Sequence, residues 1–196
     1  MAEERPMRID LGSDAPDPPT ALIAPLRARA TTAGLWRERD ARRGERLLTP
    51  GDPPAVIVLS GGLVKLSYIA PAGDEWIKSF VADAGAFGAI EEESVPYAAT
   101  CLEPSRVAAL PAAWVRAALA EPALAAAAAA FNAWLLARKR AREEELLCLT
   151  AEERYRRFLT AEPALAARLP QGDIARWLRV TPVAFSRIKR RLAADG

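Results

Sequence analysis

The sequence predicts an α+β protein made of an N-terminal antiparallel β-roll or jelly roll, one long helix and a C-terminal all-α helix-turn-helix domain. Three observations support this fold class. Short β-branched or alternating runs separated by turn residues occupy residues 55–110, an alanine-rich helical stretch follows at residues 123–147, and two short amphipathic helices come last. At 196 residues, of which 51% are hydrophobic, the chain can bury a sizeable core.

A tail and a helix are predicted ahead of the roll. Residues 1–20 are rich in proline, aspartate and alanine, a composition typical of a disordered tail. Helical periodicity then runs through residues 21–36. We therefore assign residues 21–111 to a roll domain that includes this leading helix.

The strands of the roll are predicted from short runs between turn signals. Turn residues occur at 49–52 and 71–74, and Gly61 and Gly62 separate two of the runs. The predicted strands cover residues 55–59, 63–69, 76–81, 98–102 and 106–110. Short strands at this spacing are typical of a small antiparallel roll or barrel.

Residues 112–149 are predicted to form a helical connector and a dimerisation helix. A first helix at 112–120 is interrupted by Glu121 and Pro122, and the long helix follows at 123–147. Its apolar stripe is narrow, which is typical of a helix that pairs with another helix. The predicted dimer interface consists of Leu124, Ala127, Phe131, Leu135 and Arg138. The alternative is that this stripe packs only on its own roll.

We expect a cytoplasmic protein with no membrane segment. The alanine run at residues 125–130 is too short and too weakly hydrophobic to span a bilayer, and no signal-peptide pattern precedes it. Cys101 and Cys148 are the only cysteines, which is typical of a reducing compartment. We interpret Cys148 as a small buried hydrophobic residue, with a redox switch as the alternative.

Residues 150–196 are predicted to form the helix-turn-helix domain. A short helix at 152–159 is followed by two amphipathic helices that meet at a turn at residues 179–180. Thr181 and then Pro182 favour a helix start there, because the threonine hydroxyl can cap a backbone N–H and proline fits the first helical position. The predicted apolar face of the last helix consists of Val183, Phe185, Ile188 and Leu192.

The charge of the two last helices favours an anionic partner. No acidic residue occurs from Ile174 to Ala194, where the sequence has six basic ones: Arg176, Arg179, Arg187, Lys189, Arg190 and Arg191. A helix that is only solvated usually mixes the two signs. The pattern therefore favours DNA as the partner. The alternative is a helical hairpin with a solvated charged face.

The composition argues against an enzyme. The chain contains no histidine, which removes the usual base of a catalytic triad, the usual haem ligand and the commonest metal ligand. The segment from Gly85 to Gly88 lacks the lysine and the spacing of a P-loop. We therefore expect no catalytic residue, no metal and no cofactor.

From Arg43 to Leu192 the sequence resembles the Crp/Fnr family of bacterial transcription regulators. Five segments carry the resemblance in the family's order, and the last is the most diagnostic: RRGERLLTPGD, IVLSGGLVKLSYIAPAGDE, ATCLEPSRVAALP, AEERYRRFL and PQGDIARWLRVTPVAFSRIKRRL. The resemblance implies a homodimer built on the long helices and a cyclic-nucleotide-binding-like sensor roll. It also implies two recognition helices in successive major grooves of double-stranded DNA, with RNA polymerase as a further partner.

The same resemblance implies roles for individual residues of the helix-turn-helix. The base-reading positions correspond to Pro182, Val183, Ser186 and Arg187, and Arg187 matches the family's guanine-reading arginine. Gln171 and Thr181, at the helix starts, would bind phosphates. General affinity for DNA would come from Lys189, Arg190 and Arg191.

The sequence departs from the family at the cyclic-nucleotide cassette. The family uses a glycine–glutamate pair for the ribose and an arginine followed by serine or threonine for the cyclic phosphate. Here Ala89 follows Gly88, Val95 and Pro96 occupy the arginine and serine positions, and residues 91–93 are glutamates. We therefore expect no useful affinity for cyclic AMP, unless Lys65 or Lys78 reaches in from a neighbouring strand. An unknown uncharged or cationic effector, or none, is expected in a pocket lined by Leu66, Tyr68, Trp76 and Phe87.

Two further departures concern DNA binding. Arg179 stands where the family has a turn glycine, and the chain ends at Gly196, so the β-wing that usually follows the recognition helix is expected to be absent. The leading expectation is a dimeric, sequence-specific DNA-binding transcription regulator that does not respond to cyclic AMP. The alternative is a ligand-binding sensor or protein-interaction module with a degenerate helix-turn-helix.

Overall fold

The computed structural model describes residues 17–91 and 93–194. Eight strands form two antiparallel four-stranded sheets, and helices precede and follow them. The strands are β1 (Glu38–Ala41), β2 (Arg46–Leu48), β3 (Ala55–Gly61), β4 (Leu63–Ile69), β5 (Glu75–Ala82), β6 (Gly85–Gly88), β7 (Ala98–Cys101) and β8 (Ser105–Pro111). The helices are α1 (Pro18–Thr32), α2 (Ala112–Leu119), α3 (Pro122–Cys148), α4 (Ala151–Ala161), α5 (Pro163–Arg168), α6 (Gln171–Trp177) and α7 (Pro182–Ala194). The predicted α+β class, with roll, long helix and helix-turn-helix, is confirmed.

Apart from β4 and β5, the strands that pair in the two sheets of the roll are not consecutive in the sequence. One has the order β1-β8-β3-β6 and the other β2-β7-β4-β5, with every pair antiparallel. The inward side chains of both sheets form one apolar core, which includes Ile57, Leu66, Phe87 and Val107, and Val95 joins it from the loop before β7. At the register shift between Leu66 and Ser67, β5 contributes Lys78 as the extra residue of a β-bulge.

Two more cores attach the helices to the roll. Leu22 and Leu26 of α1 pack with Val115 of α2 and Leu124 of α3 against the outer side of β3 and β8. A separate core joins the outer side of β4 and β5 to the C-terminal helices. The roll is therefore covered on one side by α1–α3 and on another by the helix-turn-helix.

The leading helix begins earlier than the sequence predicts. Helix α1 starts at Pro18 instead of residue 21. Pro18 and Pro19 occupy the first helical positions, where the backbone N–H that proline lacks would have no partner within the helix. The last residues of the predicted disordered tail are therefore helical or next to the helix. The rest of that tail, residues 1–16, lies outside the described residues, as do Glu92 and residues 195–196.

Four elements were not predicted. Strands β1, β2 and β6 have four, three and four residues, and α5 has six. Segments this short have no clear periodicity, and pairing with distant strands determines the conformation of the three strands.

Among the described residues, no single helix is long and apolar enough to cross a membrane. Helices α2 and α3 together have the length and composition of a membrane span, but the chain bends by 103° between them.

Candidate nucleic-acid interface

Helices α6 and α7 form a helix-turn-helix that packs on α4. Ile174 and Leu178 from the first helix and turn, and Phe185 and Ile188 from the second, are buried in one apolar core. The ring of Tyr155 on α4 meets Phe185 edge-on, with ring centroids 4.9 Å apart. This core orients the outer face of α7 toward solvent.

The turn between the two helices requires a left-handed residue, and that residue is Arg179. Its φ is 61°, which costs a non-glycine residue about 1 kcal/mol. The turn is closed by backbone bonds from the Arg179 N–H to the Arg176 carbonyl (3.2 Å) and from the Val180 N–H to the Ala175 carbonyl (3.0 Å). The Arg179 guanidinium lies 4.4 Å from the ring centroid of Trp76 on the roll, and this stacking offsets part of the strain.

Two arginines from other helices cap the carbonyl end of α6. Arg142 on α3 donates to the Trp177 carbonyl and lies over the Trp177 ring, 3.6 Å from its centroid. Arg154 on α4 donates to the Leu178 carbonyl at 2.7 Å. Positive groups at the carbonyl end of a helix are favourable. Burial lowers the pKa of Arg142, whereas Glu145 opposes that change. Sequence reasoning missed both arginines, because nothing near them in the sequence identifies their partners.

The predicted phosphate-binding residues lie at the starts of α6 and α7. The Thr181 hydroxyl accepts the Ala184 N–H at 3.2 Å, so its predicted role as an N-cap is confirmed. Gln171 Oε1 accepts a hydrogen bond from Lys189 Nζ at 2.6 Å, which brings these two residues together on the surface. Whether they bind phosphates stays a prediction.

The outward face of α7 carries three of the predicted base-reading residues. Val183, Ser186, Arg187 and Arg190 are exposed and share one side of the helix at its 3.6-residue period. Pro182 is also exposed at the helix start. Within the described residues, Arg187 and Arg190 make no ion pair, which leaves both guanidinium groups available to an anionic partner. Arg191 differs, because its Nη2 lies 2.8 Å from Glu152 on α4.

Val183 does not belong to the apolar face of α7, so that part of the sequence prediction is wrong. Its side chain is 62% exposed, whereas Phe185 and Ile188 are buried. The reason is angular: at 100° per residue, Val183 points to the side opposite the stripe formed by Phe185, Ile188 and Leu192.

The helix-turn-helix is docked on the outer side of β4 and β5 by ion pairs as well as by apolar contacts. Lys65 Nζ on β4 lies 2.8 Å from Glu75 on β5 and 3.2 Å from Asp173 on α6. The rings of Phe80 and Trp177 have centroids 5.6 Å apart. Arg168 on α5 pairs with Asp83 at 2.8 Å and with Glu103 at 2.5 Å. Lys65 therefore faces the helix-turn-helix and not the interior of the roll.

The predicted dimer stripe of α3 faces the molecule's own core along much of its length. Leu124 is 2% exposed and packs under α1, so it cannot also lie in a dimer interface, and its assignment there is corrected. Ala127 and Phe131 pack against the same core, as in the alternative considered for the sequence. Leu135 is half-buried, and Arg138 pairs with Glu162 at the end of α4 (3.5 Å). Another side of α3 is exposed, with Leu136 and Leu147 on it, whereas the exposed Leu146 lies on the same side of the helix as Leu124. Cys148 is exposed too, so its interpretation as a buried residue is wrong.

The four residues predicted to line an effector pocket do not meet in one cavity. Leu66 and Phe87 are buried in the core of the roll. Tyr68 is exposed, and Trp76 lies against Arg179 of the helix-turn-helix. The predicted pocket is therefore wrong, because Leu66 and Phe87 are packed into the core of the roll and do not line a cavity together with Tyr68 and Trp76.

The cassette region of the roll is closed by Tyr97. Its hydroxyl donates to the Gly88 carbonyl at 2.9 Å and accepts the Gly88 N–H at 2.7 Å. Ala89 and Val95 are buried beside it. The Lys78 ammonium lies over the Tyr97 ring, 3.9 Å from its centroid. Gly88 has a φ of 145°, and a Cβ there would overlap the Ala55 carbonyl oxygen, so only glycine fits.

Comparison with solved structures identifies this architecture. FixK2 from Bradyrhizobium japonicum superposes with a TM-score of 0.72 at 22% identity, over 82% of this chain and 86% of that chain. The chain has the fold of a Crp/Fnr-type regulator. A CooA mutant from Carboxydothermus hydrogenoformans gives a TM-score of 0.71 at 16% identity, over 85% and 80% of the two chains. TTHA1359, a transcriptional regulator of the CRP/FNR family from Thermus thermophilus, gives 0.66 at 20% identity, over 82% and 87%.

The comparisons by sequence add no further relative. No protein-family model matches the chain, and no curated protein does.

Proposed function

We propose that the protein is a dimeric, sequence-specific DNA-binding transcription regulator that does not respond to cyclic AMP. The observation that carries the proposal is the outward face of α7, where Val183, Ser186, Arg187 and Arg190 are exposed on a helix whose other side is buried in the core. A helix with exposed arginines and no acidic side chain fits the major groove of DNA. The Crp/Fnr-type fold is consistent with this proposal.

Dimerisation is proposed through the side of α3 that the chain leaves exposed. Leu136 is 49% and Leu147 is 78% exposed, and Ala129 and Ala133 lie on the same side of the helix. Large exposed leucines beside small residues suit a close antiparallel or parallel packing of two identical helices. A second copy of this chain is therefore the partner proposed for this face.

Selection of DNA by the full chain tests the proposed function. The protein is mixed with a pool of random duplexes, and the bound fraction is sequenced after several rounds. We expect an enriched site with two-fold symmetry, because a two-fold symmetric dimer reads two identical half-sites. Their centres should lie about 10–10.5 base pairs apart, or a multiple of that distance. A pool that stays random would refute sequence-specific binding, and a lone half-site would refute the dimer.

The absence of a cyclic AMP response is proposed from the closed cassette. A cyclic phosphate inside the roll needs a cationic partner, because an uncompensated buried charge is costly. Lys65 is engaged by Glu75 and Asp173 on the outer side of the sheet. Lys78 does reach the cassette, where its ammonium group lies over the Tyr97 ring. The Tyr97 hydroxyl already uses both backbone groups of Gly88. A nucleotide would therefore have to displace Tyr97 before it could reach the backbone there.

Calorimetric titration with cyclic AMP and cyclic GMP directly measures whether the protein binds either nucleotide. We expect no saturable heat for either nucleotide. The matched variant Tyr97→Phe frees both backbone groups of Gly88 and shows whether the Tyr97 hydroxyl is what excludes the nucleotide. Saturable binding to the unmodified protein with a Kd tighter than about 10 µM, which is roughly −7 kcal/mol, would contradict the proposal.

A further inference from the structure

Val183 is a large apolar side chain that does not pack into any core of the protein. It is 62% exposed in the first turn of α7, while the helix packs through Phe185 and Ile188 on its other side. Valine is also a poorer helix former than most residues, because its branched side chain loses rotamer freedom. Neither packing nor helix propensity therefore explains a valine at this position.

The position of Val183 relative to Arg187 suggests what it contacts. The two residues are four apart on the exposed face of α7, with Ser186 between them on the same side. Four residues of helix rise about 6 Å, which is close to two base steps of about 3.4 Å. In a major groove, Val183 and Arg187 would thus face bases about one or two pairs apart.

The major groove presents one apolar group, the C5-methyl of thymine. The other groups at its floor donate or accept hydrogen bonds, and a valine that covers them leaves them unsatisfied at a cost. We propose that Val183 specifies thymine by contacting this methyl group, about one or two base pairs from the guanine bound by Arg187. This inference rests on the proposed function and adds the chemical group that the helix recognises.

Substitution of uracil for thymine removes the methyl group and nothing else. The probe is the duplex that the full chain enriches from a random pool, with thymines replaced by deoxyuridine one position at a time in each half-site. The unmodified protein should lose affinity about fourfold at one thymine position per half-site, and on the order of 15-fold when both half-sites are changed, as expected for one buried methyl group at each.

The variant Val183→Ala completes a double-mutant cycle. Because Val183 is exposed, its truncation leaves the core of the domain intact, and circular dichroism with thermal unfolding confirms that the variant is folded. Its loss of affinity on the uracil duplex should be clearly smaller than the roughly fourfold loss of the unmodified protein, because alanine keeps only the Cβ methyl group. As a matched control, 7-deazaguanine, which lacks the N7 acceptor that arginine binds, should weaken the unmodified protein and Val183→Ala alike.

The outcomes separate the inference from the proposed function. A selected site whose affinity is unaffected by uracil at every position would overturn the role of Val183 and leave sequence-specific binding intact. An equal uracil penalty in Val183→Ala would overturn it as well, because the methyl would then be read by another residue. If no site is enriched, both the proposed function and this inference are wrong.

Discussion

Lys65 shows how a single side chain can place a whole domain. Its side chain is 12% exposed, and its ammonium group joins Glu75 on the roll to Asp173 on α6. Arg176 extends the cluster, with its Nη1 4.0 Å from Glu75 and 3.1 Å from Asp173. Removing one member of a buried ion cluster leaves an uncompensated charge, which costs more than the cluster contributes as a whole. The buried charges of Lys65 and Asp173 therefore help to hold α6 on the roll, together with the apolar core between them.

Glu75 should make the stability of the protein depend on pH. Burial raises the pKa of Glu75, but hydrogen bonds from Lys65 and Ser67 outweigh it, so the pKa in the folded protein lies below the ordinary value of 4.5. A carboxylate whose pKa is lowered by folding stabilises the fold above that ordinary value. The contribution is lost as the pH falls through the lower, folded-state pKa.

The variant Glu75→Gln isolates this contribution. At about pH 7 it should be less stable than the unmodified protein, and the difference in free energy of unfolding should shrink as the pH falls below 4.5. Urea unfolding at a series of pH values measures it. The control is Glu93→Gln, at an exposed glutamate of the loop before β7. Stability curves for Glu75→Gln and the unmodified protein that run parallel down to about pH 3 would contradict this prediction.

At the scale of elements, helix α3 has two sides with different tasks. One side packs against α1 and the roll through Leu124 and Ala128, and lower down it contacts the helix-turn-helix through Arg142. The other side carries Leu136 and Leu147 in solvent. Arg142 therefore connects the long helix directly to α6 through its bond to the Trp177 carbonyl.

The two sides of α3 should respond differently to substitution. Leu136→Asp combined with Leu147→Asp should give folded monomers, because a charge buried between two helices without a partner costs several kcal/mol. Leu124→Ala should instead lower the free energy of unfolding by about 2–5 kcal/mol and leave the dimer intact. Light scattering at micromolar concentration and thermal unfolding distinguish the two effects.

A matched control uses another exposed leucine. Leu159 on α4 is 39% exposed, and Leu159→Asp should change neither the oligomeric state nor, to any large extent, the stability. A monomeric unmodified protein, or a double aspartate variant that remains dimeric, would exclude this face of α3 as the dimer interface.

Physical reasons explain which features could be predicted from the sequence and which could not. Alternating residues between turn signals predicted β4, whereas the three residues of β2 are too few to show any period. Periodicity found an apolar stripe around Leu124 but not what covers it, since two different surfaces can bury the same stripe. The pair of Lys65 and Asp173 is separated by 108 residues, and no local pattern predicts such a partner.

At the scale of the whole molecule, the helix-turn-helix forms one packed unit with the roll. A shared apolar core, the Lys65 cluster and the contacts of Arg168 with Asp83 and Glu103 all cross the boundary. The exposed face of α7 points away from this boundary, with Val183 and Arg187 in solvent. The docked arrangement therefore leaves the proposed DNA-binding face open.

The specificity ratio for DNA tests the central claim most directly. Fluorescence anisotropy at about 150 mM salt compares the selected duplex with a scrambled one. The unmodified protein should bind the selected duplex about 10³-fold more tightly or better. Arg187→Ala should lose about 1–3 kcal/mol on that duplex and little on the scrambled one, whereas Arg190→Ala should weaken both alike and flatten the salt dependence. A ratio near one for the unmodified protein, or equal losses on both duplexes for Arg187→Ala, would contradict the account.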